Sequence, residues 1–227
     1  MRHLLAALSL CLVHSLTHAV GLAELSSNEA GSGLKEALTK AAEFAVSSLG
    51  KQDGFLGNPK VRIPLPGSLQ KAEKALRAIG LGKQADELVT TMNRAAEQAV
   101  VEAKPILINA IKQMGWQDAK AILTGGDDAA TQYFKRTTAG QIGEKFIPVV
   151  KKATQKLKLT KQYNKFAGKA AGFGLIDEKD ADLDSYITHR AMDGLFLMIA
   201  EQERNIRTDP VGSGSALLKK VFGAIGR

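Results

Sequence analysis

Apolar residues recur every three or four positions along most of this chain, the period of helices with one face turned inward. The longest such run covers residues 84–114. There Ala85, Leu88, Val89, Met92, Ala96, Ala99, Val100, Ala103, Leu107, Ala110, Ile111 and Met114 keep one stripe apolar for about eight turns. Pro105 lacks a backbone donor and crowds the preceding turn, so a kink or restart is expected there, with Gly115 as the stop. Residues 34–49 place Leu38, Ala41, Ala42, Ala45 and Leu49 on one face, ended by Gly50. Ser68 caps a helix over 69–79, and Gly80 follows it. Further helices are expected over 117–123, closed by Gly125 and Gly126, and from an Asp127 cap through Arg136. The pattern continues over 140–157, with Pro148 inside, and over 160–171. Asp180 is read as the cap of a long helix over 181–207, whose residues 194–200 are apolar all round, the mark of a central helix. Residues 212–215, GSGS, form a flexible joint before a last helix over 216–225.

No alternating strand pattern of useful length occurs. The segment 54–66, GFLGNPKVRIPLP, differs from its surroundings: Pro59, Pro64 and Pro66 force extended or turn backbone on themselves and their predecessors. A long ordered loop is expected, with a short edge strand at 61–63. Together these elements predict an all-α, single-domain, irregular bundle of about seven to nine helices with one long extended proline-containing loop.

Five words in order, GFLGNPKVRIPLP (54–66), LTGGDDAATQYF (123–134), FAGKAAGFGLI (166–176), DGLFLMIAEQE (193–203) and DPVGSGSALLKKVFG (209–223), resemble the bacterial family called "domain of unknown function 4197". The similarity runs from about Gly31 to the C-terminus. The resemblance implies a mainly helical, exported protein of Gram-negative bacteria. It brings no established activity, so no catalytic residue is carried over.

The N-terminus has its own character. A short basic start, MRH, precedes an apolar stretch over 4–13, and Thr17-His18-Ala19 ends in a small residue. This is the pattern of a secretory signal peptide cleaved after Ala19; the competing reading is a buried N-terminal helix. Leu10 stands where a lipoprotein signal needs a small residue directly ahead of Cys11, and the apolar run before it is short, which disfavours lipid anchoring. The expected organisation is therefore a signal peptide over 1–19, a flexible segment over 20–32 and a helical domain over 33–227, in the periplasm. Removing 19 of the 227 residues leaves 208, enough for a core without disulfides. It also removes Cys11, three of the four histidines and one of the 31 bases but none of the 23 acids, leaving a net charge of +7. Such a chain has no thiol nucleophile, no cysteine-based cluster and no two-histidine metal site. No metal, cofactor or membrane span is expected.

The remaining motifs are weak. No phosphate-binding loop of either common type is present. Gly168, Gly172 and Gly174 are mis-spaced for one and read as close helix packing. Asp180, Asp182 and Asp184 imitate the start of a calcium loop. Ser185 and Ala191 then stand where glycine and glutamate are needed, so the acids read as a helix N-terminus. Ser185, His189 and Asp193 share a helix face at i, i+4 and i+8. A mid-helix backbone has no free amide for an oxyanion, so a structural His189 paired with Asp193 is expected rather than a catalytic line. Gly125, Gly126, Asp127 and Asp128 could present acids to a ligand, with Lys60 and Arg62 as a basic counterpart. The competing reading is a helix stop followed by a restart capped by Asp127.

Charge layout says most about function. Residues 145–169 hold eight lysines and no acid. A solvated face is the bland reading. An anionic partner is the functional one, carried by Lys151, Lys152, Lys156, Lys158, Lys161 and Lys165. Lys219 and Lys220 on the amphipathic 216–225 helix would add to it, if that helix lies on a bilayer rather than docking on the core. Nucleic acid suits the charge but not an exported chain. The expected function is a non-enzymatic envelope protein that binds a protein partner or an anionic surface. The alternative is a hydrolase or small-ligand-binding protein using the 125–128 loop.

Overall fold

The computed structural model describes residues 27–67, 70, 82–155, 160–161, 163–164 and 182–209, with only the backbone of Gln84. The expected signal peptide, the helix over 69–79 apart from Gln70, the glycines at 168–174, Asp180 and the 216–225 helix therefore lie outside the described residues. So do Lys156, Lys158, Lys165, Lys219 and Lys220. No strand occurs among the described residues, and the fold is all-α.

Six helices are described: α1 (Ser27–Gly50), α2 (Gly82–Val100), α3 (Ala103–Gln113), α4 (Trp116–Thr124), α5 (Ala129–Thr154) and α6 (Leu183–Thr208). α6 packs on α5, α1 and α2 and buries residues along most of its length, although Leu197 of its apolar segment stays 41% exposed; α5 packs on α2, α3, α4 and α6 and is at least as central. α1 begins inside the segment expected to be flexible. Its face continues backward through Gly33 to the buried Ala30, so burial extends the helix beyond Leu34. Small side chains at Ala37, Ala41, Ala42 and Ala45 let its neighbours approach closely.

The long apolar run divides where proline requires it. α2 ends at Val100, residues 101–102 turn, and α3 restarts at Ala103. The ring of Pro105 would meet the carbonyl four residues earlier, on Val101, so the break precedes the proline. α5 runs through the exposed Pro148 as a single helix. The cap of α6 is Asp182, two residues later than read: its carboxylate accepts from the amide and the hydroxyl of Ser185, at 3.0 and 3.1 Å.

The proline-containing loop is held by side chains of α2. The chain turns through 51–61 and is irregular over 62–66, with no strand at 61–63. The buried Asn93 does a strand's work there. Its Oδ1 accepts from the Ile63 amide at 2.8 Å, and its Nδ2 donates to the Ile63 carbonyl at 2.9 Å. One turn on, Glu97 Oε1 accepts from the amides of Phe55 and Leu56, both at 3.1 Å. Arg94 joins Glu97 at 2.7 Å to Asp53 at 2.8 Å, where the backbone has a φ of 63°. Gly54 is required beside it, because a Cβ would sit 2.3 Å from the Leu49 carbonyl oxygen. Phe55 is fully buried against Gly194 of α6, where a Cβ would come within 2.7 Å of the ring. Two of the five sequence words thus interlock through a glycine and a phenylalanine.

Candidate functional site

The 125–128 loop joins α4 to α5, and its geometry is set from α6. A helix start leaves amides without partners and a helix end leaves carbonyls. Glu203 supplies the first need: its carboxylate accepts from the amides of Ala130 and Thr131 and from the Thr131 hydroxyl, each at 2.9 Å. Arg207 supplies the second, donating to the Ile122 carbonyl at the end of α4 at 2.9 Å. The two side chains also pair with each other at 2.9 Å. An acid at a helix start and a base at a helix end both suit the macrodipole, and Glu203 is only 5% exposed.

The expected Asp127 cap is replaced by this arrangement. The residue at the cap position is Asp128, which makes no side-chain capping bond; its carboxylate accepts from Gln132 at 2.8 Å. Asp127 and Asp128 are exposed, and two of the amides an anionic ligand would seek are bound to Glu203. Gly125 has a packing reason, since a Cβ would lie 2.7 Å from both the Ala121 carbonyl and the Ala129 Cβ. Gly126 is open.

Lys60 and Arg62 are placed elsewhere. They line a pocket of about 180 Å³ with Arg190, Asp193, Gly194 and Leu197, and the 125–128 loop is not part of its wall. Lys60 pairs with Glu201 at 2.7 Å.

His189 is exposed, and its expected pairing with Asp193 does not form. Arg190 takes that carboxylate at 4.0 Å, and the Ser185 hydroxyl turns to Asp182. The sequence places these groups on one helix face, but closer partners one turn away win.

The acids at 182–184 are spent on structure. Asn164 donates to Asp182 at 2.6 Å, and the Thr154 hydroxyl hydrogen-bonds the nearly buried Asp184. Burial pushes the Asp184 carboxyl above its usual range, and Asp182 adds to the effect; the Thr154 bond and Lys151 oppose it. The Arg94 guanidinium is raised by its bonds to Glu97 and then Asp53. No group of three or more metal-ligating side chains occurs among the described residues.

Lys145, Lys151, Lys152 and Lys161 are all exposed. Lys152 and Arg94 border a groove of about 690 Å³ between α2 and α5, with Gln98 beside them and Pro148, Val149 and Ala153 as its apolar side. No helix of the described residues is long and apolar enough to cross a membrane.

Asn93, Glu97, Glu203 and Arg207 escaped the reading of motifs. A signal for them exists: each polar residue interrupts an apolar stripe at helical spacing, such as Val89-Asn93-Glu97-Val100 and Leu195-Ile199-Glu203. A polar group on a buried face needs a partner.

These features define an all-α protein in which the packed pair α5 and α6 and one clamped loop organise the described chain. The chain belongs to the family described as "Protein of unknown function (DUF4197)", whose model matches residues 24–223. No curated protein and no solved structure matches it.

Proposed function

We propose that this protein is an exported, non-enzymatic envelope protein that binds an anionic surface through the lysine-bearing end of α5. The observation that carries the reading is the state of Lys145, Lys151 and Lys152. All three are exposed, and none makes a salt bridge to a described residue. Lys40, Lys60 and Lys104 are neutralised by Glu36, Glu201 and Glu43. Lys51, Lys112, Lys120 and Lys135 are exposed without a salt bridge to a described residue, but they are scattered along the chain, whereas Lys145, Lys151 and Lys152 stand together at one end of α5. The α2–α5 groove beside Lys152 adds an apolar side of Pro148, Val149 and Ala153, while its Arg94 is already paired with Glu97 and Asp53. The buried carboxylates support the non-enzymatic half of the reading. Glu97, Glu203 and Asp184 are each engaged with backbone or side-chain partners inside the fold.

Two measurements test it. After cell fractionation the protein should be found in the periplasm and begin near Val20; cytoplasmic protein with an intact Met1 would overturn export. The purified protein should sediment with phosphatidylglycerol-containing vesicles at low ionic strength and be released as salt rises, because screening shortens the reach of exposed charges. Absence of sedimentation at low salt would overturn surface binding and leave an acidic protein as the partner to seek.

A further inference from the structure

Between the proline-containing loop and α6 lies a second basic site, sharing no residue with the lysine end of α5. Asn58 sets its geometry. The Asn58 side-chain oxygen accepts from the Lys60 amide at 3.1 Å, and its carbonyl accepts from the amides of Val61 and Arg62 at 3.1 and 2.8 Å. With Ile63 fixed by Asn93, the backbone carrying Lys60 and Arg62 is pinned at both ends. Across from it, α6 presents Arg190, with its guanidinium 5.3 Å from the centre of the Tyr186 ring. Between them is the pocket of about 180 Å³. Gly194 contributes no side chain there, and Leu197, 41% exposed, gives an apolar wall.

The charges in this pocket are unequal. Three bases face one acid, Asp193, which lies 4.0 Å from Arg190. Lys60 is committed to Glu201. Arg62 is exposed and has no salt bridge with a described residue. Guanidinium forks match the paired oxygens of carboxylates and phosphates. Pockets for drug-sized ligands span roughly 300–1,000 Å³, so this one suits something smaller.

We infer that the cleft between Arg62 and Arg190 binds a small organic oxyanion, a carboxylate or a phosphate monoester, with its apolar part against Leu197. The inference goes beyond surface binding and does not depend on it.

Calorimetric titration with benzoate and with phenyl phosphate tests it, with benzyl alcohol as the uncharged control. At least one anion should saturate the protein at millimolar concentration, and the alcohol should not. The stronger anion then names the ligand class. Arg62→Gln should weaken that anion by at least about tenfold, the worth of a charge-assisted hydrogen bond, with the far-ultraviolet dichroism unchanged. Arg190→Gln should weaken it similarly, and Lys151→Gln with Lys152→Gln should leave it unchanged. Saturation by neither anion, equal binding of benzyl alcohol, or full-strength binding by a folded Arg62→Gln protein would each overturn the inference. Loss of vesicle sedimentation with intact titration would instead count against the proposed surface function alone.

Discussion

Glu203→Ala should be among the most damaging substitutions in the described chain. The side chain is 5% exposed and accepts three hydrogen bonds from Ala130 and Thr131, besides pairing with Arg207. Hydrogen bonds to a charged group contribute about 1.5–3 kcal/mol each. Removing one partner of a buried ion pair costs about 3–5 kcal/mol, because the other charge is stranded. These terms overlap, since the α5 amides and Arg207 can recover some water in the space left behind. A loss of about 3–5 kcal/mol is expected. Asp127→Ala is the control. Asp127 is exposed and does not cap α5, so its removal should fall within about 0.5 kcal/mol of the parent. Urea unfolding followed by far-ultraviolet dichroism measures both. A Glu203→Ala loss below about 1 kcal/mol, or an Asp127→Ala loss as large as that of Glu203→Ala, would refute the assignment of the α5 cap to α6.

Gly194→Ala should destabilise by about 1–3 kcal/mol through overpacking, because the new methyl meets the fully buried Phe55 ring at 2.7 Å and Val61 Cβ at 3.3 Å; thermal and urea unfolding report it. Asp184→Asn keeps an oxygen for Thr154 but removes the charge. The Asp184 carboxyl is raised in the fold, so the folded chain holds this proton more tightly than the unfolded one. Its contribution therefore favours folding most at acid pH and is lost as pH climbs from the ordinary value of 3.8 through the raised one. The stability of Asp184→Asn relative to the parent should accordingly improve between pH 4 and pH 7, and a relative decline would contradict the burial argument. His189→Ala, at an exposed position, should change the unfolding free energy by less than about 0.5 kcal/mol.

Helix existence and the extensive burial of α6 were legible because both rest on local periodicity; that α5 would pack on four other helices was not, because it depends on partners distant in the chain. The break before Pro105 was legible from proline's geometry, displaced only by the reach of its ring to Val101. The start of α1 was missed, since Gly31, Ser32 and Gly33 look like linker residues until Ala30 and Leu34 find a buried surface. The edge strand at 61–63 was a reasonable reading of extended backbone. Which group would pair with it was not readable, because Asn93 lies 30 residues away on another helix. The same distance problem hid the cap of α5. Asp127 sits where a local cap belongs, and Glu203, 72 to 73 residues on, takes the amides instead. The grouping of Lys60 and Arg62 with the 125–128 loop drew on charge alone, and the fold joins them to Arg190 and Leu197. Polar residues inside apolar stripes carried the missing information, but a stripe names only a residue that needs a partner, not the partner.

Vesicle sedimentation of a protein carrying Lys145→Gln, Lys151→Gln and Lys152→Gln tests surface binding most directly. A lysine near an anionic bilayer contributes about 1 kcal/mol, so three should contribute about 3 kcal/mol, or about a hundredfold in partitioning. All three are exposed and make no salt bridge to a described residue, so the dichroism should match the parent, with the urea midpoint lowered at most by the lost attraction between Lys151 and Asp184. The parent should pellet with phosphatidylglycerol vesicles at low salt and the triple variant should stay in the supernatant. A folded triple variant that pellets as the parent does would contradict the assignment of binding to α5.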